Sequence, residues 1–322
     1  MTSFAWVLGR GGLLGSHVEA VLCERSGWAV FCAGALPWAH PDRLREGLDI
    51  AVRAFLDEAR SHRGWAVFWC AGSGVVGASA AALAAESDTL EYFLSRLDAG
   101  PPSGRFFLAS SAGGVWGGCL DRPITEASTT RPISAYGLAQ LDKEGTLSRW
   151  AAGRPALSTL VGRLSNLYGP GQARAKPQGL VSHLTRSLLH GRPAHIFVPL
   201  DTIRDYLYVE DAARAIVRGV ERLGEDAAGV GAAQHVLKIF ASEQATTVGE
   251  LLGAFRRTAR RPLRVVTGLR AVASQQPRCL QFRSTVWRDE LPAAFTPLLE
   301  GIDRVFRHEL GLYQAGALPP PA

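Results

Sequence analysis

Three glycines spaced three residues apart form the first candidate site of this 322-residue sequence. Gly9, Gly12 and Gly15 follow an apolar run at 4–8 and precede a helix-forming stretch. Glycine lets the backbone approach a pyrophosphate closely, and the N-terminus of the following helix favours an anion. A glycine-rich turn can also be purely structural, but its place between a strand and a helix favours dinucleotide binding. The predicted contacts are Gly9, Arg10, Gly12, Leu13, Leu14 and Gly15.

The second predicted strand bears on the choice between NAD and NADP. An acidic residue at its end would bind the ribose 2′-hydroxyl of NAD. Here residues 30–36 read VFCAGAL and contain no acid, whereas Arg10 in the glycine loop has the charge to bind a 2′-phosphate. The sequence therefore favours NADP over NAD, unless Arg10 only points to solvent.

Short apolar runs and amphipathic stretches alternate through the first 165 residues, around this loop. The predicted strands are 5–8, 28–32, 65–70, 105–109 and 158–162. The predicted helices between them are 14–25, 49–61, 78–97 and 134–151. This alternation predicts an α/β fold, a doubly wound parallel sheet with right-handed crossovers and helices on both faces.

The second half of the chain changes in composition and is predicted to form a smaller α/β substrate domain. Residues 169–200 are rich in Gly, Pro and basic side chains around one helix, and a strand and a helix follow within 204–222. Further helices are predicted at 248–260 and 296–310. The predicted division is a dinucleotide-binding domain at 1–170, to which 204–240 returns, a substrate domain at 171–203 and 241–314, and a disordered tail at 315–322.

Bulk composition narrows the class of protein. Hydrophobic residues make up 47% and charged residues 20%, which is typical of a globular chain with a large core. The charge of +6 comes from 35 basic residues, of which only Lys143, Lys176 and Lys238 are lysines. Since no basic block with interleaved aromatics occurs, nucleic-acid binding is not expected. No run reaches the length of a membrane span.

The cysteines point to a reducing compartment and to no metal centre. Five residues form an odd set without a CxxC pair or a His partner at zinc-ligand spacing. Free thiols of this kind predict a cytoplasmic protein, and no metal site is expected.

Several segments resemble the extended short-chain dehydrogenase/reductases of the nucleotide-sugar epimerase/dehydratase family. The resemblance covers most of the chain and predicts a Rossmann-type nucleotide domain. The matching segments, in chain order, are GRGGLLG (9–15), DI (49–50), CAG (70–72), SSAGGVWG (110–117), Glu126 with PISAYG (132–137), RLSNLYGPG (163–171) and RDYLYVED (204–211).

The chemistry of that family rests on three groups, two of which depart from the pattern here. A Tyr exchanges the proton of a sugar hydroxyl during hydride transfer, a Lys four residues later lowers its pKa, and a Ser or Thr binds the reacting oxygen. Tyr136 matches the first position, but Gln140 replaces the Lys and Ala112 replaces the Ser or Thr. Ser111 lies one residue before Ala112, so a small backbone shift would present it. Lys143 is seven residues from Tyr136, about 10 Å along a helix, too far to replace the missing ammonium.

The resemblance also implies contacts to cofactor and substrate. Asp49 and Ile50, placed before a helix, fall where the family contacts adenine; the other implied cofactor contacts are Ala71, Gly72, Tyr136 and Gln140. Asn166 and Arg204 fall at positions that contact the substrate's diphosphate or nucleotide, and Arg278 lies in a stretch loosely similar to another phosphate-contact segment. Arg174 and Lys176, in the loop after Gly171, are either at the edge of that pocket or solvated loop charges. The alternative for Arg204 is a local ion pair with Asp205 or Glu210. A homodimer through helices 78–97 and 134–151 is also implied.

Three functions therefore compete. The first is an NAD(P)-dependent epimerase, dehydratase or reductase acting on a nucleotide-activated sugar, with Tyr136 as acid/base and Ser111 assisting. The second is a catalytically impaired relative that binds cofactor or nucleotide sugar in a regulatory or assembly role. The third is a module that binds another anion. The substituted Lys and Ser/Thr positions favour the second, whereas the retained glycine loop, Tyr136, Asn166 and Arg204 favour the first.

Overall fold

A large parallel sheet covered by helices and two small sheets make up the architecture. The computed structural model describes residues 2–72, 74, 76–98, 103–172, 179–230, 233–268, 276–290, 294–318 and 320–321. The strands are β1 Ser3–Leu8, β2 Trp28–Val30, β3 Trp65–Trp69, β4 Gly104–Ser111, β5 Leu157–Leu164, β6 Asn166–Tyr168, β7 Ala194–Ile196, β8 Ile203–Tyr208, β9 His235–Phe240, β10 Ala245–Thr247 and β11 Val265–Thr267. The helices are α1 Leu13–Cys23, α2 Pro41–Ala59, α3 Ala80–Leu97, α4 Ala112–Val115, α5 Ala135–Ala152, α6 Leu180–Leu189, α7 Val209–Val230, α8 Val248–Ala259 and α9 Leu298–Gln314.

The large sheet confirms the predicted α/β class. Its six strands are all parallel and run in the order β2-β1-β3-β4-β5-β9. One apolar cluster packs α2, α3 and α5 on one face, and a second packs α1 and α7 on the other. The five predicted strands all occur, and because parallel strands end at one edge, the loops after β1, β3 and β4 meet there.

Two smaller sheets lie in the second half of the chain. Strand β8 lies between β6 and antiparallel β10, and β7 pairs with β11. Helices α6, α8 and α9 pack with these strands around a third apolar cluster. Strand β9 joins the large sheet and α7 packs on it, whereas β8 pairs within the smaller sheet. The exact domain division stays a prediction.

One predicted boundary was wrong. The second helix was expected to begin at Asp49, but α2 begins at Pro41, so Asp49 and Ile50 lie in its middle. Proline is well tolerated in a first helical turn, and the buried residues Leu44 and Leu48 extend the apolar face of α2 towards its start.

The C-terminal segment was predicted to be disordered. The backbone N–H of Ala317 donates to the carbonyl of Leu312 at 2.8 Å, and Leu318 is buried. These contacts hold the described start of the tail against α9, and the predicted disorder of its remainder stays a prediction. No helix in the described part of the chain combines the length and apolar character needed to cross a membrane.

Candidate active site

The glycine loop turns at the edge of the large sheet, between β1 and α1. Gly9 has φ +86°, and a Cβ there would lie 2.7 Å from the carbonyl of Cys70 and the N of Ala71 at the end of β3. A Cβ on Gly15 would overlap the Gly9 carbonyl. Gly12 is the N-cap residue of α1 and, having no side chain, makes no side-chain hydrogen bond to the first turn of that helix. The loop is therefore shaped for close approach of an anion to backbone.

An apolar cavity of about 340 Å³ opens beside the loop that follows β2. It is lined by residues 31–36 and, from α2, by Gly47, Ile50, Ala51 and Ala54. Asp49 faces elsewhere: its carboxylate accepts from the Tyr92 hydroxyl at 2.7 Å and from Arg96 at 2.8 Å. Of the two residues predicted to contact adenine, the structure places only Ile50 on the cavity.

Arg10 is half exposed at the start of the glycine loop. Its Nε donates to the Glu19 carboxylate at 3.1 Å, across the first turns of α1. This exposed pair is weak in water and leaves the guanidinium free to exchange partners. A role for Arg10 in binding a 2′-phosphate stays a prediction.

The predicted catalytic residues meet at the start of α5. Ser134 caps the helix by accepting from the Gly137 N–H at 3.2 Å, which places Tyr136 in the first turn. A Cβ on Gly114 would lie 3.1 Å from the Tyr136 ring and 3.3 Å from the Cβ of Ser111, so these two side chains are neighbours. Burial raises the pKa of Tyr136, and the nearby Glu86 charge adds to this, while the neighbouring side chains of Ser111 and Gln140 oppose the rise without cancelling it.

Ser111 reaches Tyr136 because β4 ends at this residue. Its Oγ accepts from the Gly114 N–H at 3.1 Å as the cap of the short helix α4, and the Tyr136 ring adjoins the same glycine. Ala112 instead turns into an apolar cluster and is fully buried. The backbone therefore presents Ser111 where the sequence pattern placed Ala112.

Gln140 has one polar atom without a partner. Its side chain is 6% exposed, and the buried Oε1 makes no hydrogen bond among the described residues. Burying an amide oxygen unpaired is unfavourable unless a bound molecule satisfies it. A ribose hydroxyl is a group of the required kind, because it can donate to this oxygen.

Lys143, one turn further along α5, is committed to another partner. Its Nζ lies 3.5 Å from Glu86 Oε2 of α3, and burial lowers the pKa of Lys143 against the opposing attraction of that carboxylate. The other carboxylate oxygen of Glu86 accepts from the Gly74 N–H at 2.6 Å. Sequence reasoning missed Glu86; its only signal was an acidic residue in an alanine-rich helix.

A buried ion pair holds α5 against the sheet. Glu144 accepts from Arg163 at 2.6 and 3.0 Å and from the Ser110 hydroxyl at 2.5 Å. The Arg163 guanidinium lies over the Trp116 ring, 4.3 Å from its centroid. These contacts join β4, β5 and α5, and thereby fix the separation of Ser111 and Tyr136.

Arg204 is buried without a carboxylate partner among the described residues. It is 7% exposed and donates to the carbonyl of Ile203 at 2.8 Å and to Gln276 Oε1 at 3.4 Å. Burial lowers its pKa. The alternative of a local ion pair was wrong, because Asp205 accepts from Ser242 and Gln244, and Glu210 pairs with arginines 214 and 304.

The other predicted substrate residues are more open. Asn166 is exposed at the start of β6, in register with Tyr206 of β8. Arg278 is 68% exposed and pairs with Asp201, while its carbonyl accepts from the Ile203 N–H at 2.9 Å. Arg278 thus adjoins the strand of Arg204 but directs its charge to the surface. Arg174 and Lys176 lie outside the described residues.

Glu126 joins the two halves of the molecule. Its carboxylate accepts from the Ile239 N–H at 2.9 Å and from the Ser284 hydroxyl at 2.6 Å, and both the N–H and the hydroxyl of Thr285 donate to it. Burial raises the pKa of Glu126, but these hydrogen bonds outweigh it and leave the pKa below its ordinary value. Glu126 therefore has a structural role, because its hydrogen bonds connect these separate segments of the chain.

The family model that matches the sequence is described as the NAD dependent epimerase/dehydratase family, and it matches residues 5–230. The match includes the glycine loop, Ser111, Tyr136 and Arg204. This chain belongs to that family.

Two curated relatives and one solved structure show the range of similar proteins. The dTDP-4-dehydro-6-deoxyglucose reductase of Escherichia coli is 29% identical over 133 residues, which is 41% of this chain and 42% of the reductase. The dTDP-glucose 4,6-dehydratase of Salmonella typhimurium is 35% identical over 93 residues, 29% of this chain and 25% of the dehydratase. The chain thus aligns with less than half of either relative.

The solved UDP-glucose 4-epimerase of Thermotoga maritima, determined with UDP-glucose, has the same fold. It superposes with a TM-score of 0.75 at 23% identity, covering 97% of this chain and all of the epimerase chain. The similarity of fold extends over 97% of this chain and so includes both the large sheet and the smaller sheets.

Proposed function

We propose that this protein binds a nicotinamide dinucleotide and a nucleotide-activated sugar, and exchanges a hydride at a sugar carbon with Tyr136 as acid/base. The observation that carries the proposal is the meeting of the Ser111 and Tyr136 side chains at Gly114, at the edge where the glycine loop lies. A hydroxyl pair at this edge is suited to a carbonyl or alcohol oxygen. The reductase, dehydratase and epimerase named above all act on nucleotide-linked sugars, which supports the substrate class.

The residues present fit a dinucleotide. The uncapped start of α1 and the close backbone at Gly9 and Gly15 suit the pyrophosphate, and the apolar cavity at Ile50 suits an adenine ring. Gln140 Oε1 has the unmet acceptor capacity that a nicotinamide ribose hydroxyl would satisfy. When bound, the dinucleotide supplies or accepts the hydride.

The chain's own residues would transfer the proton at the reacting sugar oxygen and bind the negative charge of the substrate. Tyr136 moves a proton to or from the reacting oxygen, and Ser111 donates a hydrogen bond to it. Arg204, which has no carboxylate partner within the described part of the chain, offers a bidentate fork to the substrate diphosphate. Asn166 and Arg278 are proposed as further substrate contacts, since Asn166 lies on the strand paired with that of Arg204 and the Arg278 carbonyl accepts from the Ile203 N–H.

For the cofactor we propose NADP rather than NAD, on the charge of Arg10 and the absence of an acid on the cavity lining. Arg10→Ala is expected to lower the ratio of NADPH to NADH affinity about tenfold, measured by fluorescence titration. Glu19→Gln is the matched control: it removes the partner of Arg10 but keeps the guanidinium, so the preference for NADPH should persist. Equal affinities in all three proteins would refute the role of Arg10.

The second candidate is a catalytically impaired binding protein, and Gln140 is the observation that favours it. Lys143, three residues further along the same helix, pairs with Glu86 and does not replace the missing ammonium. The two candidates separate when wild type, Tyr136→Phe and Gln140→Lys are assayed on a panel of nucleotide sugars. Turnover by wild type that is lost in Tyr136→Phe supports the enzyme. Cofactor binding without turnover, with activity gained in Gln140→Lys, supports the impaired relative.

A further inference from the structure

We propose that the smaller half of the molecule docks on an anionic lipid surface through a cluster of exposed arginines, as a peripheral contact that needs no spanning helix. This cluster, the arginine patch, lies at the end of α8, on the segment leading to β11 and beside β7. Its members are Arg192, Arg256, Arg257, Arg260, Arg261 and Arg264, and all six are exposed. The inference goes beyond the proposed function and does not depend on it.

Packing and strand pairing bring the two segments of the patch together. Helix α8 turns its apolar face to the third apolar cluster, which leaves Arg256 and Arg257 exposed in its last turn. Strands β7 and β11 pair in parallel, and the Ala194 N–H donates to the carbonyl of Arg264 at 2.8 Å. Arg192 comes two residues before Ala194, so it lies next to the segment that carries Arg264.

The charge of the patch is not neutralised by neighbouring acids. Among the residues that the structure describes, no carboxylate pairs with any of the six arginines. Glu250, the one acid of α8, is bound in the capping box at the opposite end of the helix. Helix α9 packs in the same apolar cluster, and its three carboxylates pair with arginines outside the patch, at 186, 304 and 307.

The net charge of the chain equals the charge of the patch. The sequence has 35 basic and 29 acidic residues, so the 29 basic residues outside the patch match the acids in number. The excess of +6 is therefore concentrated on one surface of the smaller half instead of being spread over the molecule.

Stability of the fold does not account for these arginines. A cation in the last turn of a helix is favoured by the helix dipole, which explains Arg256 and Arg257. The other four lie outside the helix and repel one another as like charges. Arg260 even has φ +50°, a left-handed conformation that glycine adopts with less strain. A ligand of opposite charge would give the patch a role that folding does not.

The chemistry of the patch favours lipid phosphates over other anionic partners. Guanidinium groups bind phosphate with a bidentate fork. The described residues of 190–200 and 248–268 include no exposed Phe, Tyr or Trp. Their exposed large hydrophobic residues are Val266, beside the patch, and Leu200, whose carbonyl binds the Gly249 N–H at the far end of α8.

This composition matters because the partners differ in what they require. Protein interfaces are anchored by buried aromatic or aliphatic clusters, and single-stranded nucleic acids stack their bases on aromatic side chains. An anionic lipid surface requires neither, because its negative potential holds a basic patch electrostatically. The patch therefore fits a lipid surface better than a protein or an RNA.

The test is co-sedimentation of the full chain with lipid vesicles. Vesicles of phosphatidylcholine with about 30% phosphatidylglycerol should bind the protein at about 0.1 M KCl, whereas vesicles of phosphatidylcholine alone should not. Raising the salt to about 0.5 M should release the protein, because the charges are then screened. Equal binding to the two kinds of vesicle, or to neither, would overturn the inference.

A triple variant locates the contact. It replaces three patch residues as Arg256→Gln, Arg257→Gln and Arg261→Gln. Since each arginine near an anionic surface contributes about fivefold to binding, the partition coefficient should fall about 100-fold. If this variant does not fold, the single variant Arg264→Gln decides, with an expected loss of about fivefold.

The matched control removes the same net charge elsewhere. Its substitutions, at exposed positions of α2 and α5, are Arg53→Gln, Arg60→Gln and Arg149→Gln. Because these arginines lie outside the patch, binding should fall less than about threefold. An equal loss in the two triple variants would refute the patch as the docking surface.

Other polyanions provide the remaining comparison. Binding of a single-stranded RNA and of poly-glutamate is measured by fluorescence anisotropy at the same salt concentration. Both should bind more weakly, per negative charge, than the phosphatidylglycerol vesicles. If either polymer binds more tightly, the partner is a nucleic acid or an acidic protein and the lipid inference is overturned.

Discussion

Replacing Arg204 by methionine should weaken binding of a nucleoside diphosphate while leaving the stability of the free protein nearly unchanged. The free protein buries this guanidinium at 7% exposure against one carbonyl and one amide oxygen. Methionine keeps most of the apolar contact, loses two modest hydrogen bonds and removes the cost of burying a charge. These effects nearly cancel, so the free energy of unfolding should change by less than about 1 kcal/mol.

The ligand should respond much more strongly. A hydrogen bond to a charged group contributes about 1.5–3 kcal/mol, which corresponds to about a 10- to 150-fold loss of affinity for UDP or dTDP. Isothermal titration calorimetry measures this loss, and urea unfolding measures the stability.

Arg163→Met is the matched control for the same side chain in another setting. Arg163 is equally buried, at 5% exposure, but its guanidinium is bound by the Glu144 carboxylate. Removing it leaves that carboxylate buried and unpaired, which should destabilise the protein by about 3–5 kcal/mol. If Arg204→Met destabilises as much as Arg163→Met, or binds nucleotide normally, the assignment of Arg204 to a ligand phosphate is refuted.

Three further predictions concern the loop, a buried lysine and the assembly. Gly15→Ala places a Cβ on the Gly9 carbonyl, so it should lower the free energy of unfolding by about 1–3 kcal/mol and abolish NADPH binding. Gly11→Ala should do neither, because a Cβ at Gly11 would lie in open space. Equal stability and equal NADPH binding in the two variants would contradict the loop geometry. Burial lowers the pKa of Lys238 to about 8. Between about pH 8 and 10.5 the folded protein therefore binds fewer protons than the unfolded chain. Over this range the free energy of unfolding of the wild type, compared with that of Lys238→Met, should rise by up to about 3 kcal/mol, as measured by urea unfolding. A difference that stays constant with pH would exclude this. The predicted homodimer through α3 and α5 is tested by light scattering. Leu138→Glu, at an exposed position of α5, should give monomers, whereas Leu299→Glu, at an exposed position of α9, should leave the dimer intact. A monomeric wild-type protein would refute the predicted dimer.

Much of the fold could be predicted from local patterns in the sequence. The strand–glycine–helix start, the alternation of apolar and amphipathic segments and the order of the motifs together predicted the parallel sheet, and the family match agrees. Helix boundaries were harder to predict. The start of α2 at Pro41 was missed because charged residues interrupt the apolar positions of its first turns. For the same reason the intrahelical position of Asp49 was not anticipated.

The amino-acid sequence by itself determined which chemical groups are available: a glycine loop, a tyrosine, a glutamine in place of a lysine, and a scarcity of lysine elsewhere. Only the tertiary structure decided how they are used. It turned Ser111 rather than Ala112 towards Tyr136, bound Lys143 to a carboxylate 57 residues away, and gave Arg204 no carboxylate partner among the residues that the structure describes. These outcomes depend on side-chain directions and on contacts between distant segments, which sequence spacing does not encode because they arise only when the helices pack on the sheet.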